Sequence, residues 1–340
     1  MTRFKTIVVI QPGAIGDVVL GTPVATTLRR SYPEARIIYL THASLFPLLK
    51  LCPAIDDFIA WNKRAPGIPR YAAYTQQLNA LRETKPSLVV DLTSSFRTRS
   101  LSWLSGGRHL IYKKQPRAAR PIMHVTDNYL ETLAPLELPQ SALHFPTLSI
   151  PAELLANVKA RVDTNERLVA IVPGVGKHRP NRAWPIEQWI GLSRNVVERF
   201  ESRVVLVGGA DDVVAGSEVA GALGERCFNL VGQLSLPETA ALLKQCRVVV
   251  SADTGPSHIA VAVGTPVIGL TGPTWPQRSG PYGMDALGLN ACHHCRCLSE
   301  KRCLLNDGTG AGVCMSQIEV SDVVARLEDV LSSARSGSLS

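Results

Sequence analysis

Apolar residues in this chain fall into short continuous runs separated by longer segments that read as helices, and the alternation begins almost at once. Thr6–Ile10 (TIVVI) is a run of β-prone residues, residues 15–31 read as a helix, Arg36–Thr41 (RIIYLT) is the next run, and residues 87–92 form another after a helical stretch around residues 71–84. Strands that are apolar at every position, without in–out alternation, belong to parallel sheets covered on both faces. A second series opens at Leu168–Val172 and continues through a helix at residues 186–200, a strand at 203–207, helices at Val213–Leu223 and 237–244, a strand at 248–251, a helix at 256–263 and a strand at 266–270. The pattern has restarted, which predicts an α/β chain of two doubly wound domains. Residues 133–151, with four prolines and little periodicity, read as the hinge. The expected division is therefore residues 1–150, 151–320 and a terminal segment 321–340 with a Ser/Gly-rich tail. In such sheets ligands bind beyond the strands' C-terminal ends, so two facing domains would line one cleft.

Size and charge narrow this picture. The 340 residues suit two domains of about 150 residues each. A formal charge of +8 favours acidic partners, whether nucleotides, phosphorylated saccharides, anionic membrane surfaces or nucleic acid. The first apolar run ends after a few residues at Gln11-Pro12-Gly13, too short for a secretory signal, and no later run has the length of a membrane span. A cytoplasmic protein, in peripheral contact with the inner face of the inner membrane, is expected.

Candidate chemistry lies in the loops that follow strands. In residues 248–266 (VVVSADTGPSHIAVAVGTP) a strand runs into Asp253-Thr254-Gly255-Pro256, with Ser257 and His258 in the first turn of the next helix. Unpaired amides and the helix dipole make such a start a seat for phosphate, unless Asp253 or Thr254 simply caps those amides. The loop Gln11-Pro12-Gly13-Ala14-Ile15-Gly16-Asp17 lacks the glycine spacing of dinucleotide folds and of P-loops. Its Asp17 is either a dipole-favourable helix-start acid or a general base. Residues 173–185 (PGVGKHRPNRAWP) offer Lys177, Asn181 and Arg182 as a diphosphate clamp, or else a solvated basic loop. Asp211 and Asp212, after the glycine pair 208–209, suit ribose or base recognition or a tight turn. Residues 96–120 hold Arg97, Arg99, Arg108, Lys113, Lys114, Arg117 and Arg120 with no acid, and read as a solvated face or as a site for an anionic acceptor. Five of the eight cysteines crowd one segment. Cys292, Cys295, Cys303 and Cys314 offer four thiolates for a structural zinc or iron ion, with reduced thiols as the alternative.

Taken together, the segments IQPGAIGDVVLGTPV, VVDLTSSFRTRSLSWLSGGRHLIY, PNRAWPIEQW, VVLVGGADD and SADTGPSHIAVAVGTPVIGLTGPT resemble the glycosyltransferase family that contains the ADP-heptose:lipopolysaccharide heptosyltransferases. The resemblance implies a GT-B architecture of two Rossmann-like domains, donor held mainly by the second, with a C-terminal helix crossing back to the first. It implies inverting transfer of a heptose from an ADP-sugar to an anionic saccharide or glycolipid acceptor, with no cofactor needed for transfer. By the same resemblance Asp17 is the base; from their places in the first loop and in the basic stretch, Gly16, Arg97, Arg99 and Arg120 are the candidate acceptor residues. Lys177, Asn181, Arg182, Asp253, Thr254, Gly255 and His258 hold the donor, together with Asp211 or Asp212. Many relatives carry Lys where this chain has Arg182.

Two other readings compete. A nucleotide-sugar epimerase or hydrolase of the same fold would need no acceptor, and the basic stretch 96–120 argues against it. A nucleic-acid-binding protein would use the positive charge and the Cys/His cluster, but aromatics are few and no nucleic-acid module is recognisable.

Overall fold

The computed structural model describes residues 4–61, 70–93, 95–116, 121–139, 145–162, 166–291, 303 and 312–333. The chain divides into two compact units, residues 1–149 and 150–340.

The N-terminal unit is built on strands β1 (Thr6–Ile10), β2 (Arg36–Thr41), β3 (Asp57–Ala60), β4 (Leu88–Asp91) and β5 (Arg108–Ile111), all parallel, in the order β3-β2-β1-β4-β5. Its helices are α1 (Ile15–Leu20), α2 (Thr22–Ser31), α3 (Phe46–Leu49), α4 (Arg70–Glu83), α5 (Phe96–Leu104) and α6 (Val125–Leu130). Val8, Ile10, Ile38, Leu40, Val89 and Leu101 share one buried cluster. Complete burial of such side chains contributes about 1.5–3 kcal/mol apiece, which is why the central strands carry no polar alternation.

One expected helix, residues 15–31, is two. The hydroxyl of Tyr39 lies where a Cβ on residue 21 would stand, at 2.7 Å, so only glycine fits there. Pro23, in the first turn of α2, has no N–H with which to carry α1 onward. Thr22 Oγ1 donates to Val19 O at 2.7 Å across the break. The short strands β3 and β5 escaped the sequence reading because four-residue elements hold too few positions to display a period, and the longer α5 escaped it because its buried side carries Thr98 and Ser102 while Phe96 and Trp103 lie outside.

The C-terminal unit repeats the design. Strands β6 (Leu168–Val172), β7 (Arg203–Leu206), β8 (Cys227–Asn229), β9 (Val248–Ala252), β10 (Val267–Thr271) and β11 (Leu289–Asn290) form a parallel sheet ordered β11-β10-β9-β6-β7-β8. This is the doubly wound order in which the chain reverses direction between its first and fourth strands, here β6 and β9, opening a crevice at their C-terminal ends. Helices α7 (Ala152–Arg161), α8 (Ile186–Glu198), α9 (Val213–Leu223), α10 (Leu236–Gln245), α11 (Gly255–Ala262), α12 (Pro276–Ser279) and α13 (Val320–Ser333) flank it.

The terminal helix packs within its own unit: Val323, Val324, Leu327, Val330 and Leu331 of α13 join the same core as Trp189, Val196, Val250 and Leu270. Their spacing of one, three and four residues makes a single helical stripe, and burying it here costs no polar group. Leu327→Ala should therefore lower the unfolding free energy of the C-terminal unit by about 2–5 kcal/mol in urea titration, whereas a helix docked elsewhere would leave that transition unmoved.

Candidate active site

At the C-terminal end of β1 the chain turns on Gln11, which is buried. Its Nε2 donates to Leu92 O at 3.2 Å and to the Tyr129 hydroxyl at 2.9 Å, and its Oε1 accepts the Gly13 N–H at 3.2 Å. The loop is thereby tied to β4 and α6 before α1 begins. Gly16 and Asp17 occupy the first turn of α1, and Asp17 is exposed. Its carboxylate folds back against the loop, within 2.9 Å of where a Cβ on residue 13 would stand. Beneath it lie two buried tyrosines, Tyr39 and Tyr129, whose hydroxyls are pushed up by burial and further by the charge of Asp17.

Beside this loop is a carboxylate that sequence reasoning missed. Asp91 ends β4, paired in register with Ile10, and is wholly buried. Its Oδ1 accepts the Thr93 N–H at 2.9 Å. Burial pushes its pKa up to about 6, only partly offset by the Thr93 N–H, the hydroxyls of Thr98 and Thr93, and the charge of Arg99. Nothing in the string VVDLT distinguishes a buried strand-end acid from an exposed one.

Among the predicted acceptor residues, Arg97 is half-buried with its guanidinium 4.7 Å from the Trp61 ring centroid, so it clamps α5 to the end of β3. Arg99 is exposed on α5. Arg120 lies outside the described residues.

In the C-terminal unit, loops after β6, β7 and β9 meet at one edge of the sheet. Asp211 and Asp212 differ in what they touch, and Asp212 turns inward. Its Oδ1 accepts the Gly176 N–H and its Oδ2 the Gly209 N–H, both at 2.9 Å, and it fills the space that any side chain on residue 174 would need. Asp212 therefore staples two loops together, while Asp211 stands exposed and paired with Lys177 at 2.7 Å. The hydrogen bond from Lys177 to Asp211 holds the ammonium charged.

Arg182 reaches across to the end of β9. Its guanidinium donates to Asp253 O at 2.6 Å and lies 3.3 Å from Asp253 Oδ2. Asp253 is almost fully buried; burial alone would raise its pKa, but the hydrogen bond from His258 and the charge of Arg182 outweigh it and hold the carboxyl below its usual range. His258 Nε2 stands 3.6 Å from Asp253 Oδ1. Asn181, also buried, precedes Arg182 in the same turn.

Thr254 sits at the N-cap of α11 yet makes no side-chain capping bond. Its hydroxyl pairs with Ser251 Oγ at 3.0 Å instead, and Asp253 is committed to Arg182 and His258. Neither residue caps the helix with its side chain; the Ser257 N–H goes to Thr254 O at 3.2 Å and Pro256 has no N–H, so Gly255 stands at the mouth of the turn. An uncapped helix start beside a guanidinium is a seat for an anion.

Of the four thiolates proposed for a metal, Cys292 and Cys295 lie outside the described residues. Cys303 and Cys314 are half-buried, and Cys314 Sγ lies against Gly272 beyond β10. Among the described residues no group of three His, Cys, Asp or Glu side chains converges as metal ligands would.

Two parallel doubly wound sheets, one followed by an acidic loop and the other by a helix start with Arg182 beside it, are the GT-B architecture of glycosyltransferases. Residues 70–306 match the family described as Glycosyltransferase family 9 (heptosyltransferase), and the chain belongs to that family. It is 26% identical to lipopolysaccharide heptosyltransferase 3 of Escherichia coli, over 95% of this chain and 98% of that protein. Its fold is similar to that of E. coli ADP-heptose lps heptosyltransferase II, with a TM-score of 0.77, 22% identity, and coverage of 97% of this chain and 99% of the other. The E. coli heptosyltransferase WaaC, solved with ADP, matches with a TM-score of 0.72 at 19% identity, covering 96% and 99%.

The raised pKa of Asp91 has a definite sign. Because folding raises it, the folded chain holds this proton more tightly than the unfolded one, so its destabilising effect is complete above pH about 6 and fades as pH falls toward 4. Asp91→Asn, which keeps the Oδ1 acceptor, should stabilise the N-terminal unit by roughly 3 kcal/mol at neutral pH and by nothing near pH 4. Urea midpoints across that range check it.

Proposed function

We propose that this enzyme moves a heptose from an ADP-activated donor to the saccharide core of a lipopolysaccharide, inverting the anomeric carbon. The observation that carries the donor half is the uncapped start of α11 with Arg182 beside it, an arrangement suited to a diphosphate. The names of the relatives, heptosyltransferases of lipopolysaccharide, support heptose as the sugar and a core saccharide as the acceptor. WaaC solved with ADP supports adenosine diphosphate as the leaving group.

An inverting displacement needs a base for the incoming hydroxyl and a positive seat for the departing diphosphate. Asp17 takes the acceptor proton as the acceptor oxygen bonds to the anomeric carbon. The bond from that carbon to the diphosphate oxygen breaks, and ADP leaves with the electron pair. Arg182, the amides of Thr254 and Gly255, and Lys177 stabilise the charge that develops. Asp253 and His258 orient Arg182 and the loop. Asp211 is the acid free of structural duty in the turn, and so the one assigned to the ribose or sugar hydroxyls. Gly16 keeps the base loop narrow where the acceptor approaches, and exposed Arg99 draws in its anionic groups. A core saccharide carried on a lipid implies work at the cytoplasmic face of a membrane. Among the described residues no helix is long and apolar enough to cross one.

Asp17→Asn should cut transfer by about two to four orders of magnitude with donor affinity intact, measured by product formation and by calorimetric titration with ADP-sugar; retained turnover would remove Asp17 from the mechanism. Arg182→Ala should weaken donor binding about tenfold or more and Arg182→Lys should recover most of it, since the ammonium also balances Asp253. Donor consumption in the absence of any acceptor would instead favour a hydrolase.

A further inference from the structure

Helix α5 is turned inside out with respect to polarity. Its buried side carries Thr98, Leu101 and Ser102, all 1% exposed or less, and its solvent side carries Phe96 at 86% and Trp103 at 70%. Phe96, Arg99 and Trp103 recur at three and four residues and so share one stripe, about 10 Å long at the α-helical rise. The hydroxyls on the inner side are absorbed locally: Ser102 Oγ donates to Thr98 O at 3.0 Å, and Thr98 meets Ser95 Oγ at 2.7 Å. A soluble helix has no use for two large aromatics on its outer stripe.

The neighbourhood extends the patch. Tyr74 of α4 hydrogen-bonds Ser100 of α5 at 2.9 Å, and Arg82 donates to Leu104 O at 2.8 Å, so the two helices run in the same direction. That puts Tyr71, 73% exposed, toward the Phe96 end. Both helices begin beyond the C-terminal edge of the parallel sheet, the edge from which Asp17 also emerges. Charge is equally one-sided: between Asp91 and Asp127 the sequence has seven Lys and Arg and no acid, and Arg99 on α5 and Lys113 and Lys114 beyond the C-terminal end of β5 are exposed.

We infer that the outer stripe of α5, with Tyr71 beside it, docks the N-terminal unit onto an anionic lipid surface. Aromatic side chains with a basic fringe fit the interfacial zone of such a bilayer, where rings enter the headgroup layer and cations meet lipid phosphates. Charge complementarity selects this occupant over a second copy of the chain, because two copies of so basic a face would repel. The inference rests on the lipid-borne acceptor of the proposed reaction. It adds the surface by which the acid-bearing edge of the sheet is kept beside the membrane that carries that acceptor.

The test is vesicle flotation of the full chain with no sugar donor present, comparing phosphatidylcholine vesicles with vesicles that also contain phosphatidylglycerol. The wild type should float with the anionic vesicles only, and added salt should release it. The double variant Phe96→Ser, Trp103→Ser should lose about tenfold in vesicle affinity, while Trp103→Phe should keep it. Circular dichroism and transfer to a delipidated, water-soluble acceptor should be unchanged in the double variant, which separates a lost docking face from a lost fold. Absence of wild-type binding, equal binding to neutral vesicles, or undiminished binding by the double variant would overturn the proposal. So would concentration-dependent self-association that the double variant abolishes without any vesicle binding, which would make the stripe an interface between copies. Flotation involves no chemistry, so a failure to transfer heptose would count against the reaction and leave the docking result standing.

Discussion

A carboxylate almost fully out of water cannot stay charged without partners, and the C-terminal site is organised around meeting that demand for Asp253. Arg182 supplies the charge and His258 the hydrogen bond. To do so, Arg182 must bring the whole loop after β6 across to the end of β9, two neighbouring strands of the sheet. With Asp253 so engaged and Thr254 turned to Ser251, the N-cap side chain makes no bond to the start of α11, where the Ser257 N–H goes to Thr254 O at 3.2 Å and Pro256 has no N–H to offer. The buried ion pair and the uncapped helix start, the proposed diphosphate seat, are two consequences of one arrangement: the residues that would cap the helix are employed elsewhere.

The N-terminal unit solves a different problem with similar means. Asp17, the base proposed for the reaction, is exposed, and what is buried is the scaffold that holds the loop still. Gln11 spends both ends of its amide on Leu92, Tyr129 and Gly13, and Tyr39 blocks any side chain at position 21. Asp91, one strand over, keeps a carboxyl in a dry pocket where only hydroxyls, an amide and a distant guanidinium temper its charge. Rigid support under an exposed base suits a group that must meet a large incoming substrate, since misplacement by an ångström is costly in rate.

Asp211 and Asp212 illustrate how adjacent, chemically identical residues acquire different work. Asp212 is the N-cap residue of α9 and reaches back to two loop amides; Asp211, one residue earlier, points to solvent and Lys177. The division follows from backbone direction at a tight turn and has no counterpart in the side chains themselves.

Runs such as TIVVI, LVAIV and VVVSA are apolar at every position because both faces of a parallel strand are covered, so the sequence by itself determined the class of the fold, the restart that makes two units, and the loops where chemistry would sit. Glycine and acid at strand ends were equally legible, and so was the placing of Asp17, Arg182 and Asp253 in loops at the strands' C-terminal ends. Tertiary structure alone decided the rest, because it depends on contacts between residues far apart in the chain. Tyr39 breaks the helix at Gly21 from the neighbouring strand, Arg182 meets Asp253 across 71 positions, and the stripe of α13 finds its place against α8 and the sheet. Whether an acid ends up dry, as Asp91 does, or an aromatic ends up wet, as Phe96 does, follows from which neighbours surround it, and local pattern carries no record of those neighbours.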